Sequence, residues 1–131
     1  MEVNNSQLNN DTIQALNTLI DLDINAVSAF RLTRIIKDIS EIVELKLKME
    51  KKILEKYAEK NENGEFTRPL DESGNPMTEA VNILDVPAFT SEMSELMSMT
   101  HNINHDKLNF EDLNLQTAKV KDLIKLEFLF N

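Results

Sequence analysis

The sequence predicts a mainly α-helical fold: a long central helix, two or three shorter helices packed on it, and a small β-hairpin or loop insertion. Three observations lead there. Residues 25–60 contain neither Gly nor Pro, and their apolar residues recur at three- and four-residue spacing. Both glycines, Gly64 and Gly74, fall just beyond that run. Shorter amphipathic stretches, each opened by a capping residue, lie on either side. A helix over 25–60 would be roughly 50 Å long at about 1.5 Å per residue. In a chain of 131 residues that length demands cover, from the rest of the chain folded back, from a second copy, or from a partner.

The elements follow in order. Residues 1–9 read as a polar arm, and residues 10–131 as a single helical domain with a hairpin or loop at 62–84. Asn10 is placed to cap a first helix, with Asp11 in its first turn, where a negative charge suits the helix dipole. Ile13, Leu16, Leu19 and Ile20 would form its apolar face, ending near Asp21. After the short Leu22-Asp23-Ile24 link, Asn25 can cap the long helix. Leu32, Ile35, Ile39, Ile42, Met49 and Ile53 form one stripe along it, interrupted by Lys46; Ile36, Val43, Leu47, Leu54 and Tyr57 form a neighbouring one. The arc is wider than a two-stranded coiled coil needs, so two elements are expected to pack on it.

Asn61-Glu62-Asn63-Gly64 would end the helix. The segments 65–68 and 76–78 then flank a second turn, Asp71-Glu72-Ser73-Gly74-Asn75. Asp85-Val86-Pro87 opens a further helix, with Phe89, Met93, Leu96 and Met97 on one face to about Asn102. Residues 103–110 alternate weakly, and Glu111-Asp112-Leu113 reads as a turn. Thr117 caps a last helix carrying Val120, Leu123, Ile124 and Leu126. The segment Phe128-Leu129-Phe130 is too apolar to leave in water; it either plugs the core or docks onto another subunit.

Composition limits the function classes. A formal net charge of −9 disfavours duplex nucleic acid as a partner, because phosphate binding needs a basic face. The charge is uneven: residues 25–60 hold nine of the 14 bases but only six of the 23 acids. The acidic remainder would therefore fold onto the helix, or less simply act as a nucleic-acid decoy. With no cysteine, disulfides and thiol catalysis are excluded. The polar start, Met1-Glu2-Val3-Asn4-Asn5, carries no secretory pattern, and no apolar run reaches the ~18 residues of a membrane span. A soluble, cytoplasmic life is expected, for a cell or for a virus assembling inside one, with no membrane partner.

Signs of chemistry are sparse. Two glycines ten residues apart make no phosphate loop. His101 and His105 would share a helix face, as metal ligands do, but Asn102, Asn104 and Asp106 fray that helix and no third ligand stands out. No catalytic, cofactor or metal residue is assigned. Met93, Met97 and Met99 are core gap-fillers or an adaptable groove. Arg31, Arg34 and Lys37 form a basic ridge, which is either a solvated face paired with acids or a site for an anion or acidic partner. The interaction candidates are this ridge, the seam residues Ile35, Ile39, Ile42 and Met49, and the terminal Phe128 and Phe130.

The order of segments resembles a family of short tailed-bacteriophage proteins of unknown function. The resemblance is carried by Phe30-Arg31-Leu32-Thr33-Arg34-Ile35-Ile36-Lys37, by Ile53-Leu54-Glu55-Lys56-Tyr57 before the Asn/Gly turn, by Leu108-Asn109-Phe110-Glu111-Asp112-Leu113, and by Asp122-Leu123-Ile124-Lys125-Leu126-Glu127. The chain departs from the family's pattern at 67–86 and at Phe128-Leu129-Phe130. The resemblance implies a phage origin and brings no catalytic residue. The expected function is thus a non-enzymatic phage protein acting by protein–protein contact in virion or tail assembly, as a homo-oligomer or with another phage or host protein. The alternative is a phage antagonist of a host enzyme or defence system, which blocks a surface or sequesters a nucleotide messenger.

Overall fold

A computed structural model describes residues 1–22, 24–109 and 120–130. The chain is mainly helical, as its periodicity requires. In order it contains β1 (Glu2–Asn4), a 3-10 turn (Asn5–Gln7), α1 (Asn10–Ile20), α2 (Ala26–Tyr57), α3 (Val86–Ser98), β2 (Thr100–Asn102), α4 (Val120–Lys125) and a 3-10 turn (Glu127–Leu129). It divides into two compact units, Met1–Lys46 with Met97–Asn131, and Leu47–Leu96. The boundaries fall inside α2 and inside α3, where helical periodicity runs on without a break and leaves no mark in the sequence.

In the first unit, residues 1–9 are not an arm. β1 pairs antiparallel with β2, placing Glu2, Val3 and Asn4 opposite Asn102, His101 and Thr100. Val3 and Leu8 are almost completely buried. The segment reads as polar because only alternate residues turn inward, while its asparagines close the turns. The Asn4 side chain accepts from Ser6 N, and Gln7 Oε1 accepts from Asn4 N. The cap of α1 is Asn9, one residue before the expected Asn10: its Oδ1 accepts from Thr12 N at 3.0 Å. Thr12 then turns inward and donates to Gln7 O at 2.6 Å. Asn25 caps α2 as expected, accepting from Ser28 N at 2.9 Å.

The core of this unit joins Leu16 and Leu19 of α1, Leu32, Ile35 and Ile39 of α2, Val3, Leu8, Ile103 and Leu108, and the closing Leu126, Phe128, Leu129 and Phe130. Ile42, Ile36, Val43 and Leu123 pack at its margin. Ile13 is a margin residue too, whereas Ile20 and Ile124 face outward. The apolar terminus therefore fills the interior of its own chain. Leu108 N donates to Leu129 O at 2.7 Å, within a parallel bridge between Leu108 and Phe130. Lys46, which breaks the apolar stripe, is only 8% exposed; its Nζ donates to Leu8 O at 2.8 Å. An ammonium carried inward on an aliphatic stem still needs an acceptor, and Leu8, the residue that follows the 3-10 turn, provides that carbonyl. The expected turn at 111–113 and the Thr117 cap lie outside the described residues.

In the second unit, α3 begins where Asp85 Oδ1 accepts from Ala88 N at 3.1 Å. Its Phe89 ring meets Tyr57 edge-on, centroids 6.2 Å apart. Between Ala58 and Leu84 the same turn is built twice. Asn61 Oδ1 accepts from Asn63 N and Glu65 N, and Asp71 Oδ1 accepts from Ser73 N and Asn75 N. Gly64 and Gly74 sit at φ of 78° and 82°, a region an L side chain resists. Isolated antiparallel bridges, Lys60 to Phe66 and Leu70 to Pro76, close the two turns.

One cluster in this unit is measurable directly. Glu92 Oε1 accepts from Tyr57 OH at 2.7 Å and pairs with Lys56. The bond to Glu92 raises the Tyr57 phenol above its usual pKa, and the bonds from Lys56 and Tyr57 lower the Glu92 carboxyl. A phenol whose pKa is raised by folding adds stability below its unfolded pKa, and that stability is lost as pH rises through the folded value. A lowered carboxyl adds stability above its unfolded pKa, lost as pH falls through the folded value. Tyr57 is the single tyrosine and there is no tryptophan, so phenolate absorbance follows this group alone. Glu92→Ala is expected to move that titration to lower pH; an unchanged curve would refute the assignment.

Candidate functional site

The expected seam does not face outward. Ile35 and Ile39 are 1% and 0% exposed, and they are taken up by the chain's own core together with Phe128 and Phe130. These four interaction candidates are corrected to intramolecular packing. The reason is the return of residues 103–108 and 126–130, which share that core. Ile42 is half-buried against the same core, and Met49 is half-buried in the second unit.

The ridge behaves differently. Arg31, Arg34 and Lys37 are all exposed on α2. Among the described residues neither guanidinium has an ion-pair or hydrogen-bond partner. No acid among the described residues pairs with either guanidinium. Two apolar residues accompany the ridge: Val27 is 71% exposed and Phe30 66%. At i, i+3, i+4 and i+7, residues 27, 30, 31 and 34 share one helix face. Phe30 was missed as a site residue. The signal was available in its place outside the buried 32-35-39 stripe.

Phe30, Arg31 and Arg34 form one wall of a cavity of about 430 Å³, with Ile35 at its base. The opposite wall is the segment 102–106, which brings Asn102, Asn104, His105 and Asp106. That wall is tied down at several points. Ile103 N donates to Met1 O at 2.7 Å, and the Met1 amino group donates to the carbonyls of Ile103 and His105. His105 Nε2 donates to Asp38 Oδ2 at 2.8 Å, one helical turn beyond Arg34. Two guanidiniums, an open aromatic face and amide groups are thus presented on a fixed frame. Lys37 lies on the same helix but outside the cavity lining.

His101 and His105 do not act together. They sit on a strand and in the loop after it, not on a helix, and His101 Nε2 meets the Asn5 amide oxygen at 2.8 Å. Among the described residues no three His, Asp or Glu side chains are grouped to hold a metal. No helix among them is long and apolar enough to cross a membrane. In the second unit a cavity of about 440 Å³ is lined by Glu55, Lys60, Phe66 and Arg68. Its arginine is already spent on the carbonyls of Thr78 and Ala80, at 2.7 and 3.1 Å. Met93 and Met97 are half-buried and Met99 exposed. Comparison with protein-family models, curated proteins and solved structures found no match to this chain.

Proposed function

We propose that this chain is a non-enzymatic bacteriophage protein that acts by protein–protein contact in virion or tail assembly, within the host cytoplasm or the particle. The docking face is the outer stripe of α2 at Val27, Phe30, Arg31, Arg34 and Lys37. One observation carries the reading: an exposed valine and an exposed phenylalanine stand beside arginines that have no partner among the described residues. Covering such a side chain contributes about 1.5–3 kcal/mol, and guanidiniums pair with carboxylates through two parallel hydrogen bonds. The partner chemistry is an acidic surface with an apolar centre. With Ile35 and Ile39 used internally, self-association would also run through Val27 and Phe30.

Phe30→Asp tests this without touching the core. We expect the variant to keep its circular dichroism and thermal transition but to lose co-sedimentation with phage particles and any oligomer seen by light scattering. Particle association unchanged by the substitution, or a monomer that never enters particles, would overturn the assembly role. A second reading, an antagonist of a host enzyme or defence system, is favoured by the cavity beside the same face, because an assembly contact does not need one.

A further inference from the structure

We infer that the cavity between α2 and residues 102–106 is a binding site for a nucleoside phosphate. Its volume, about 430 Å³, lies within the range of roughly 300–1,000 Å³ typical of small-molecule sites. Arg31 and Arg34 stand one turn apart with no protein partner among the described residues. Two planar forks at that spacing match the oxygens of one phosphate or of two linked ones. Phe30 precedes them on the same face and is 66% exposed. An open aromatic ring beside an anion site is a stacking platform for a base. Asn102 and Asn104 on the facing wall add side-chain amides, each both donor and acceptor, as a base edge or a ribose requires.

Two features make this more than an arginine patch. The facing wall is pinned before any ligand arrives, through Ile103 to Met1 and through His105 to Asp38, so little ordering is left for binding to bear. The nearest helix acid below the arginines is Asp38, and its carboxylate is engaged by His105. Asp106 is the acid that lines the cavity. It opposes an anion, so the site is not tuned to the tightest phosphate binding, and its neutralisation makes a gain-of-affinity test. The biological use of such binding rests on the antagonist reading. The binding itself does not, and it is measured with no host component.

The experiment is isothermal titration calorimetry of the full chain with ADP, AMP, adenosine and inorganic phosphate. ADP is expected to bind saturably, and adenosine and inorganic phosphate each at least about tenfold more weakly. Arg31→Ala with Arg34→Ala should weaken ADP by about tenfold or more. Phe30→Ala should weaken ADP by about tenfold and leave inorganic phosphate unchanged. Asp106→Asn should tighten ADP several-fold. Circular dichroism verifies that these exposed-site variants are folded. No binding at millimolar ADP overturns the assignment. So does ADP affinity indifferent to the arginine pair, or phosphate binding equal to ADP with Phe30→Ala silent, which would leave a plain anion patch. None of these results alters the particle co-sedimentation that tests assembly, so the two can fail separately.

Discussion

Ile39→Ala will lower the unfolding free energy by about 2–5 kcal/mol, the usual cost of truncating a fully buried aliphatic side chain, and the loss will be the same at every protein concentration. Ile39 is 0% exposed and belongs to one cluster with Leu32, Ile35, Leu126 and Leu129. That cluster is built from several segments, among them α2 and residues 126–130, each held by its own hydrogen bonds, so the cavity cannot simply collapse. Had this position formed the seam of a dimer, truncation would weaken association, and the midpoint would shift with concentration by mass action. Urea unfolding of wild type and variant at two widely separated concentrations decides it. A variant as stable as wild type, or a loss confined to dilute samples, would return Ile39 to an intermolecular role.

The double substitution Leu129→Ala with Phe130→Ala will be more damaging and will unfold the first unit at ordinary temperature. Leu129 is 0% exposed and Phe130 4%. Truncation costs about 2–5 kcal/mol for a buried leucine and 3–5 for a phenylalanine, against a total stability of about 5–15 kcal/mol for a typical domain. The bridge between Leu108 and Phe130 ties the closing segment to the strand return, so loss of the plug also frees a wall of the core. Hydrogen exchange should show protection lost for α1 and for the first part of α2. Protection should persist for α3, whose packing on Tyr57 lies in the other unit. Retained protection throughout the first unit would mean that the terminus merely covers the core.

Helix positions were legible because helix formation is local. Asn25, Asp85, the Gly64 and Gly74 turns, and the stripe through Leu32, Ile35 and Ile39 all act within about one turn of chain. The shift of a cap from Asn10 to Asn9 is a choice between two adjacent residues of equal capping power, settled by Thr12 turning inward to Gln7 O. The strand Glu2–Asn4 was hidden because a three-residue strand has too few alternations to register, and its partner is about a hundred residues away. The spacing of His101 and His105 has meaning only on a helix, and the pairing of β1 with β2 puts His101 on a strand and leaves His105 in the loop after it.

The site divides along the same line. Arg31 and Arg34 were visible as a ridge from spacing alone. That they lack acidic partners among the described residues, and that Phe30 stands open beside them, depends on which side of α2 the rest of the unit covers. The wall at 102–106 enters the site only because Ile103 and His105 are held at Met1 and Asp38.

The amino-acid order by itself determined the helical class, the length of the central helix and the amphipathic width that demands cover, because these follow from backbone propensity and a repeat of 3.6 residues. Only the tertiary structure decided what provides that cover. One apolar stripe, or one greasy Phe128-Leu129-Phe130 segment, gains nearly the same free energy against its own chain as against another, since burial of apolar surface is non-directional. The chain's own return segments share one core with Ile35 and Ile39, and the face left exposed is the one that carries Val27, Phe30 and the two arginines.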